Sequence, residues 1–344
     1  MIKHMRLNIR TFKNIFIFVL LASVLILPQS KVGTTAANFL TIPIGARASG
    51  MGSAYVAVAN DVTSAFWNPA GLATLKRNEL NVSYSEWLVN TKHNWVAFGM
   101  KLGSFDAIAI SFNQMDFGNE EITTADQPNG TGQYWSANDL AITLSYAHNL
   151  TDRLSVGGNF KYITQNIYNE TATAFALDVG LLFYTQVNGL KLGMNISNFG
   201  TEMKLNGKDL LQPLDIDPAH TGNNANIAAR LSTDSWPLPL VFSVGIAWDV
   251  LQSSNVWAMT FAIDANIPNN QDTYINTGAE IVWNDIISIR GGYYALGKDA
   301  SITGVTAGFG IKYDFGDFLG KVNYSYTDYG IFKSISRISL SIGL

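Results

Sequence analysis

Phe39–Leu75 reads FLTIPIGARASGMGSAYVAVANDVTSAFWNPAGLATL. It is crowded with small residues and closes on the breaker Asn68-Pro69-Ala70-Gly71. It is also the least strand-like apolar stretch in the chain, because nearly everything after it alternates like β-strand. A segment that is apolar, small-residued and irregular suits the inside of something else. The expectation is a compact plug, residues 37–76, held in a barrel built from residues 77–344.

Composition points the same way. The 344-residue chain is 47% hydrophobic and only 14% charged, against about 25% charged in an ordinary soluble domain. After the N-terminus, no stretch has the roughly 18 consecutive apolar residues of a spanning helix. Low charge without spanning helices leaves an unusually apolar soluble β protein or a transmembrane β-barrel, whose alternating strands have only moderate hydropathy.

The N-terminus favours export. Lys3, Arg6, Arg10 and Lys13 precede an apolar run from Ile15 to Leu27, and small residues follow at Thr34, Thr35, Ala36 and Ala37. This is the pattern of a cleaved secretory signal over residues 1–36, with a single membrane anchor as the competing reading. Those residues hold five Lys/Arg and no acid. The rest therefore carries 17 basic and 26 acidic residues, a net of −9. That balance argues against nucleic acid as a partner. With no cysteine, the fold rests on no disulfide and thiol chemistry is excluded.

From Asn78 onward, turn signals divide the chain into fourteen strands: 78–88, 93–103, 105–115, 138–148, 153–165, 173–184, 188–198, 238–249, 255–266, 273–283, 286–297, 301–313, 318–327 and 335–344. An even count is what bacterial outer-membrane barrels show. In the last strand Ile338, Leu340 and Ile342 alternate with Arg337, Ser339 and Ser341, so one face meets an apolar medium and the other a polar one. Every second connection is short, while 116–137 and 199–237 are long and polar, the asymmetry of outer-membrane barrels. Both mature termini are then expected on the short-turn, periplasmic side. The eight tryptophans fall mostly near strand ends or in loops, as an interfacial belt would place them.

A search for chemistry finds little. His93, His148 and His220 lack metal-ligand spacing. Gly50-Met51-Gly52 lacks the third glycine and the βαβ setting of a dinucleotide site. Asp215-Ile216-Asp217 has too few ordered oxygens for calcium, and Glu120-Glu121 reads as a solvated pair. No catalytic, cofactor or metal residues are assigned. The lumen face would carry Asn159, Lys161, Asp264, Asn266, Lys312, Lys321, Asn323 and Arg337. These are mixed in sign and best explained by hydrogen bonds to one another and to the plug.

Ile44-Gly45-Ala46-Arg47-Ala48-Ser49-Gly50-Met51-Gly52, followed by Asn60-Asp61 and Trp67-Asn68-Pro69-Ala70-Gly71, resembles the N-terminal signature of the PorV/PorQ family within the wider group of FadL-like outer-membrane barrels. The resemblance implies a non-enzymatic outer-membrane protein in contact with membrane lipid. In the PorV sense it implies type IX secretion, with a translocon subunit and cargo C-terminal signal domains as partners. In the FadL sense it implies uptake of hydrophobic small molecules such as long-chain fatty acids.

Two departures stand out. The chain ends in Leu344 instead of an aromatic residue. The third strand, Phe105–Met115, contains no Gly or Pro, which argues against the kink that a FadL-type lateral opening needs. The structural motif residues are Gly45, Ala46, Arg47, Gly50, Gly52, Asp61, Asn68, Pro69, Ala70 and Gly71. Glycine permits positive φ and close approach in a crowded lumen. Pro69 stops a short helix over 61–66 that Asp61 can cap, and holds Asn68 extended. Arg47 is expected to pair with a lumen carboxylate such as Asp264.

Overall fold

The computed structural model describes residues 33–220, 226–251, 256–298 and 304–344. The signal-peptide reading falls almost wholly on residues 1–32 and lies outside the described residues, as do the starts expected at 255 and 301.

Fourteen long antiparallel strands form one closed sheet: β1 (Glu79–Glu86), β2 (Lys92–Leu102), β3 (Asp106–Glu121), β4 (Tyr134–Thr151), β5 (Leu154–Ile167), β6 (Glu170–Tyr184), β7 (Leu190–Gly200), β8 (Val241–Asp249), β9 (Trp257–Pro268), β10 (Tyr274–Trp283), β11 (Ile287–Leu296), β12 (Val305–Asp314), β13 (Leu319–Asp328) and β14 (Ser334–Gly343). Closure is made by β1 against β14, from Glu79 opposite Gly343 to Ser85 opposite Arg337. A closed sheet has no unpaired edge, the condition for burying backbone in lipid. Alternation is plainest in β1, where Glu79, Asn81, Ser83 and Ser85 are buried while Leu80, Val82 and Tyr84 are exposed. The exposed face is thus the apolar one, which suits a hydrocarbon surrounding and not water.

Strand ends differ from expectation mainly at the long-loop end. β3 and β4 run past 115 and start before 138, as a two-stranded extension shifted in register between Asp116 and Asn119. Beyond that shift the residues are Gly118, Asn119, Glu120 and Glu121, mostly exposed. Ladder hydrogen bonds continue there without an apolar face, so period two gave no signal. The expected loop 166–172 shrinks to two residues between β5 and β6, so loop length separates the two ends less cleanly than the sequence suggests. The long 201–240 connection holds short strand pairs at 203–204 with 235–236 and 211–214 with 227–230.

Trp248, Trp257 and Trp283 are exposed on the outer wall near the short-turn rim. Trp95 is buried in the lumen and Trp67 packs within the plug, so the belt accounts for only part of the tryptophans.

About eight strands make a barrel that side chains alone can fill; fourteen leave a wider lumen. Residues 36–75 occupy it as short turns of helix: a 3₁₀ turn at Asn38–Thr41, α1 (Ala46–Gly50), α2 (Ser64–Trp67) and a 3₁₀ turn at Pro69–Thr74. Phe39 and Leu40 pack with Met115, Ile163, Ala174 and Leu238, near the long-loop end. Ala36 N donates to Pro237 O, and Asn270 Nδ2 donates to Thr35 Oγ1. The expectation that both mature ends share the short-turn side is therefore corrected. Leu344 is there, donating to Asn78 O, but the N-terminal described residues lie across the lumen. Burying Phe39 and Leu40 among apolar side chains draws the segment through the barrel.

Candidate functional site

The site is the junction of plug and wall, and its centre is Arg47. Its Nε and Nη2 donate to the two carboxylate oxygens of Glu280 at 2.9 and 2.7 Å. Its Nη1 reaches Tyr55 Oη at 2.8 Å, Asn60 Oδ1 at 2.7 Å and Asp61 Oδ2 at 3.2 Å. Arg290 Nε adds a second charged bond to Glu280 at 2.7 Å. A bidentate fork of this kind is the strongest geometry an arginine offers. Burial works against the Arg47 charge, but Glu280, Tyr55 and Asp61 hold it well above its ordinary pKa. Asp61 likewise sits below its ordinary value: burial pushes it up, and Arg47, Lys321 and the bonds from Thr63 and Tyr55 outweigh that.

Arg47 therefore does not pair with Asp264. That carboxylate instead accepts backbone N–H from Tyr55 (2.6 Å) and Val56 (2.9 Å), fixing the next turn of the plug. Asp61 does not cap α2, whose N-cap is Thr63. It accepts from Thr63 N and the Thr63 hydroxyl, shaping the turn that precedes the helix. The helix is also shorter than 61–66, beginning only at Ser64.

The other motif residues line the same junction. Gly45 precedes α1 at φ 76°, and Ala46 N donates to Ser339 Oγ of β14 at 2.8 Å. Gly50 abuts Gly308 of β12, and its carbonyl accepts from Thr306 Oγ1 at 3.1 Å. Gly52, at φ 63°, donates to Thr306 Oγ1 at 2.9 Å. Asn68 is extended, at φ −164° and ψ 102°. Its Nδ2 donates to Val56 O (2.8 Å) and Leu181 O (3.0 Å), and its Oδ1 accepts from Ala70 N (3.2 Å). Pro69 and Ala70 lie against Gly157 of β5, and Gly71 against Ala59 O.

The wall supplies the matching half, which sequence reasoning missed. A Cβ on Gly278 would overlap the Met51 carbonyl, and one on Gly292 would stand 2.5 Å from Gly52 N. Gly157, Gly180, Gly193, Gly245 and Gly308 meet the plug in the same way. Glycines in strands ordinarily mark such backbone approaches, and that was the available signal. Glu280 and Arg290 are register partners on β10 and β11; period two puts each on an inward face, but only the register joins them to Arg47.

The lumen-face residues pair as mutual partners or with the plug. Lys161 bridges Asp178 at 2.7 Å, and Asn159 Nδ2 donates to Ala65 O at 2.8 Å. Asn266 accepts from Ser243 Oγ, Lys321 pairs with Glu79 and Asn323 accepts from Arg290. Lys312 meets Asp285 at the short-turn rim.

Below the plug, at that rim, opens a vestibule of about 580 Å³ lined by Arg47, Asp61, Glu79, Glu280, Lys312 and Lys321 among others. Higher up, a gap between Leu40, Phe66 and Trp95 measures about 10 Å³, at most the room for one water. β3 pairs regularly with both β2 and β4 from Asp106 to Asp116, so its membrane-level part has no kink. Among the described residues, no three His, Asp or Glu are grouped to hold a metal ion.

A closed antiparallel barrel, apolar outside and packed inside by its own N-terminal segment, defines a plugged outer-membrane β-barrel. The family model for Type IX secretion system protein PorV matches residues 27–216, over half the chain, and the chain belongs to this family. Among solved structures it is similar to the CymD monoaromatic hydrocarbon channel (14% identity, TM-score 0.57, 89% of this chain and 97% of that one). It is similar also to a FadL homologue of Pseudomonas aeruginosa (11%, 0.53, 88% and 98%) and to the toluene transporter TodX of Pseudomonas putida (13%, 0.53, 86% and 96%). At such identities the likeness is one of fold. No curated protein matches the chain. The protein is a plugged, closed fourteen-stranded barrel of the PorV family.

Proposed function

We propose that this barrel is a non-enzymatic component of type IX protein secretion, working with a translocon subunit and the C-terminal signal domains of cargo. The supporting observation is the filled lumen: a plug hydrogen-bonded and ion-paired to the wall from β5 round to β14 suits a partner engaged from outside the pore better than a solute passing through it. In this reading residues 1–36 are removed on export, residues 37–76 serve as a fixed plug, and 77–344 form the spanning barrel. The short turns and Leu344 face the periplasm; the long loops face outward. The motif residues from Gly45 to Gly71 shape the plug and contact no ligand.

A second reading is a channel for hydrophobic small molecules. It is favoured by the fold shared along most of the chain with a monoaromatic hydrocarbon channel, and by the apolar cluster around Phe39 and Leu40, for which an apolar solute could compete.

Affinity capture of the tagged barrel from its own membranes tests the first reading. Co-purification of a translocon subunit or cargo signal domains is the expected result. A barrel that recovers no such protein, yet carries toluene or oleate into proteoliposomes, would replace it with the second. Identical gel mobility boiled and unboiled would remove the barrel premise from both.

A further inference from the structure

Three arginines point into the lumen, and two have every side-chain edge engaged by protein. Arg47 closes its Nε/Nη2 fork on Glu280. Arg290 bonds Glu280, Asn323 and Ser288 through its three nitrogens. The third is Arg337 of β14, only 2% exposed. Its Nη1 donates to Ser49 Oγ of the plug at 3.0 Å, and its guanidinium lies over the Trp87 ring at 5.5 Å. Nε and Nη2, the edge that Arg47 offers to a carboxylate, meet no acceptor at ordinary hydrogen-bond geometry among the described residues.

The same gap recurs on both sides of Arg337. Its Cα register partners are Ser85 on β1 and Ser325 on β13. Both face the lumen at 1% and 0% exposure, and neither hydroxyl has a partner among the described residues. Cross-strand neighbours on one face stand about 5 Å apart at Cβ, so one free hydroxyl stands on each side of the Arg337 side chain. The Tyr329 hydroxyl hydrogen-bonds the guanidinium, and the Tyr294 hydroxyl and the His93 ring also stand within its field; no Asp or Glu is among these groups. A buried cation requires a counter-charge, and buried donors require acceptors. One ligand meets both needs: a small anion gripped by the Nε/Nη2 fork and by two hydroxyl protons.

We propose that Arg337, Ser85 and Ser325 form a binding site for a small monovalent anion, halide or carboxylate, at the seam where the first and last strands meet. Through Ser49 the site also ties the plug to that seam. It stands apart from the secretion reading and from the Arg47–Glu280 junction.

The test uses the full barrel in detergent, melted in chloride, bromide, formate or gluconate at constant ionic strength. An ion that binds only the folded state raises the melting temperature in a saturable way. Chloride, bromide or formate should do this over gluconate, and Arg337→Gln should abolish the dependence. Bromide-soaked crystals should show an anomalous peak within hydrogen-bond distance of Nε and Nη2, and a formate-only response would assign the carboxylate arm. Ser85→Ala and Ser325→Ala remove one donor each without large strain. Each should weaken the apparent affinity by at least about tenfold, the scale of one charge-assisted hydrogen bond. An adventitious ion only, seen in crystals but without effect on melting, would overturn the proposal. So would ordered water at the fork under saturating bromide, or unchanged salt dependence in both serine variants should Arg337→Gln fail to fold.

Discussion

Replacing Glu280 by Gln removes the charge on which the plug is moored. The side chain is 5% exposed, and it accepts from Arg47 twice and from Arg290 once. Taking away one partner of a buried ion pair costs about 3–5 kcal/mol, because the remaining charge stays desolvated. Two features lower the figure here. Arg47 is a quarter exposed and keeps Asp61, Asn60 and Tyr55, while Arg290 keeps Asn323 and Ser288. The expected loss is about 3 kcal/mol, at the bottom of that range. Since Arg47 belongs to the plug and Glu280 to the wall, the loss falls on the plugged state and not on the strand ladder. At a factor of ten per 1.4 kcal/mol, plug release becomes roughly a hundredfold more favourable. Planar-bilayer recording should show openings in Glu280→Gln that are rare in the native barrel, with boiled and unboiled mobility on gels still distinct. A cycle with Arg47→Gln should return a coupling of about 1–3 kcal/mol. A variant that melts with the native protein and stays closed, with zero coupling, would refute the mooring argument.

The wall glycines give a sharper contrast. Gly278→Ala should cost about 1–3 kcal/mol and loosen the plug by overpacking against Met51. Gly291→Ala, whose Cβ meets only Thr306 O at 3.9 Å, should stay within about 0.5 kcal/mol in the same melts. Asn68→Ala removes three hydrogen bonds at a fully buried position and strands two carbonyls; thermal unfolding should show a loss of about 3 kcal/mol. Asp61 has a folded pKa below its ordinary value. Its contribution is therefore complete above the unfolded value of about 3.9 and is lost as pH falls through the lower folded value. Plug protection from protease should fall in acid in the native barrel, and Asp61→Asn should be weaker at neutral pH with a flatter acid limb.

Alternation and composition determined the barrel. Ile338, Leu340 and Ile342 against Arg337, Ser339 and Ser341 already state which face meets lipid, because a strand's side-chain period is fixed at two whatever its neighbours are. The Gly-rich stretch and Asn68-Pro69 likewise declared an irregular segment, because positive φ at Gly52 and the restriction before proline are local properties. The partners of Arg47 were a different matter. Glu280 lies 233 residues away, and its place beside Arg290 depends on cross-strand register, which a single sequence leaves open. Asp264 was a sound choice by face and sign, but tertiary packing gave it to the backbone of Tyr55 and Val56. The β3–β4 extension was invisible for a related reason: once a ladder leaves the membrane, no apolar face is required of it. The N-terminal segment crosses the lumen because Phe39 and Leu40 find apolar neighbours at the far end, and only the closed barrel brings those neighbours together. What the sequence decided was what each short stretch prefers by itself. What the tertiary structure decided was which distant charges, glycines and apolar side chains share one interior, since closing fourteen strands around a plug fixes those distances at once.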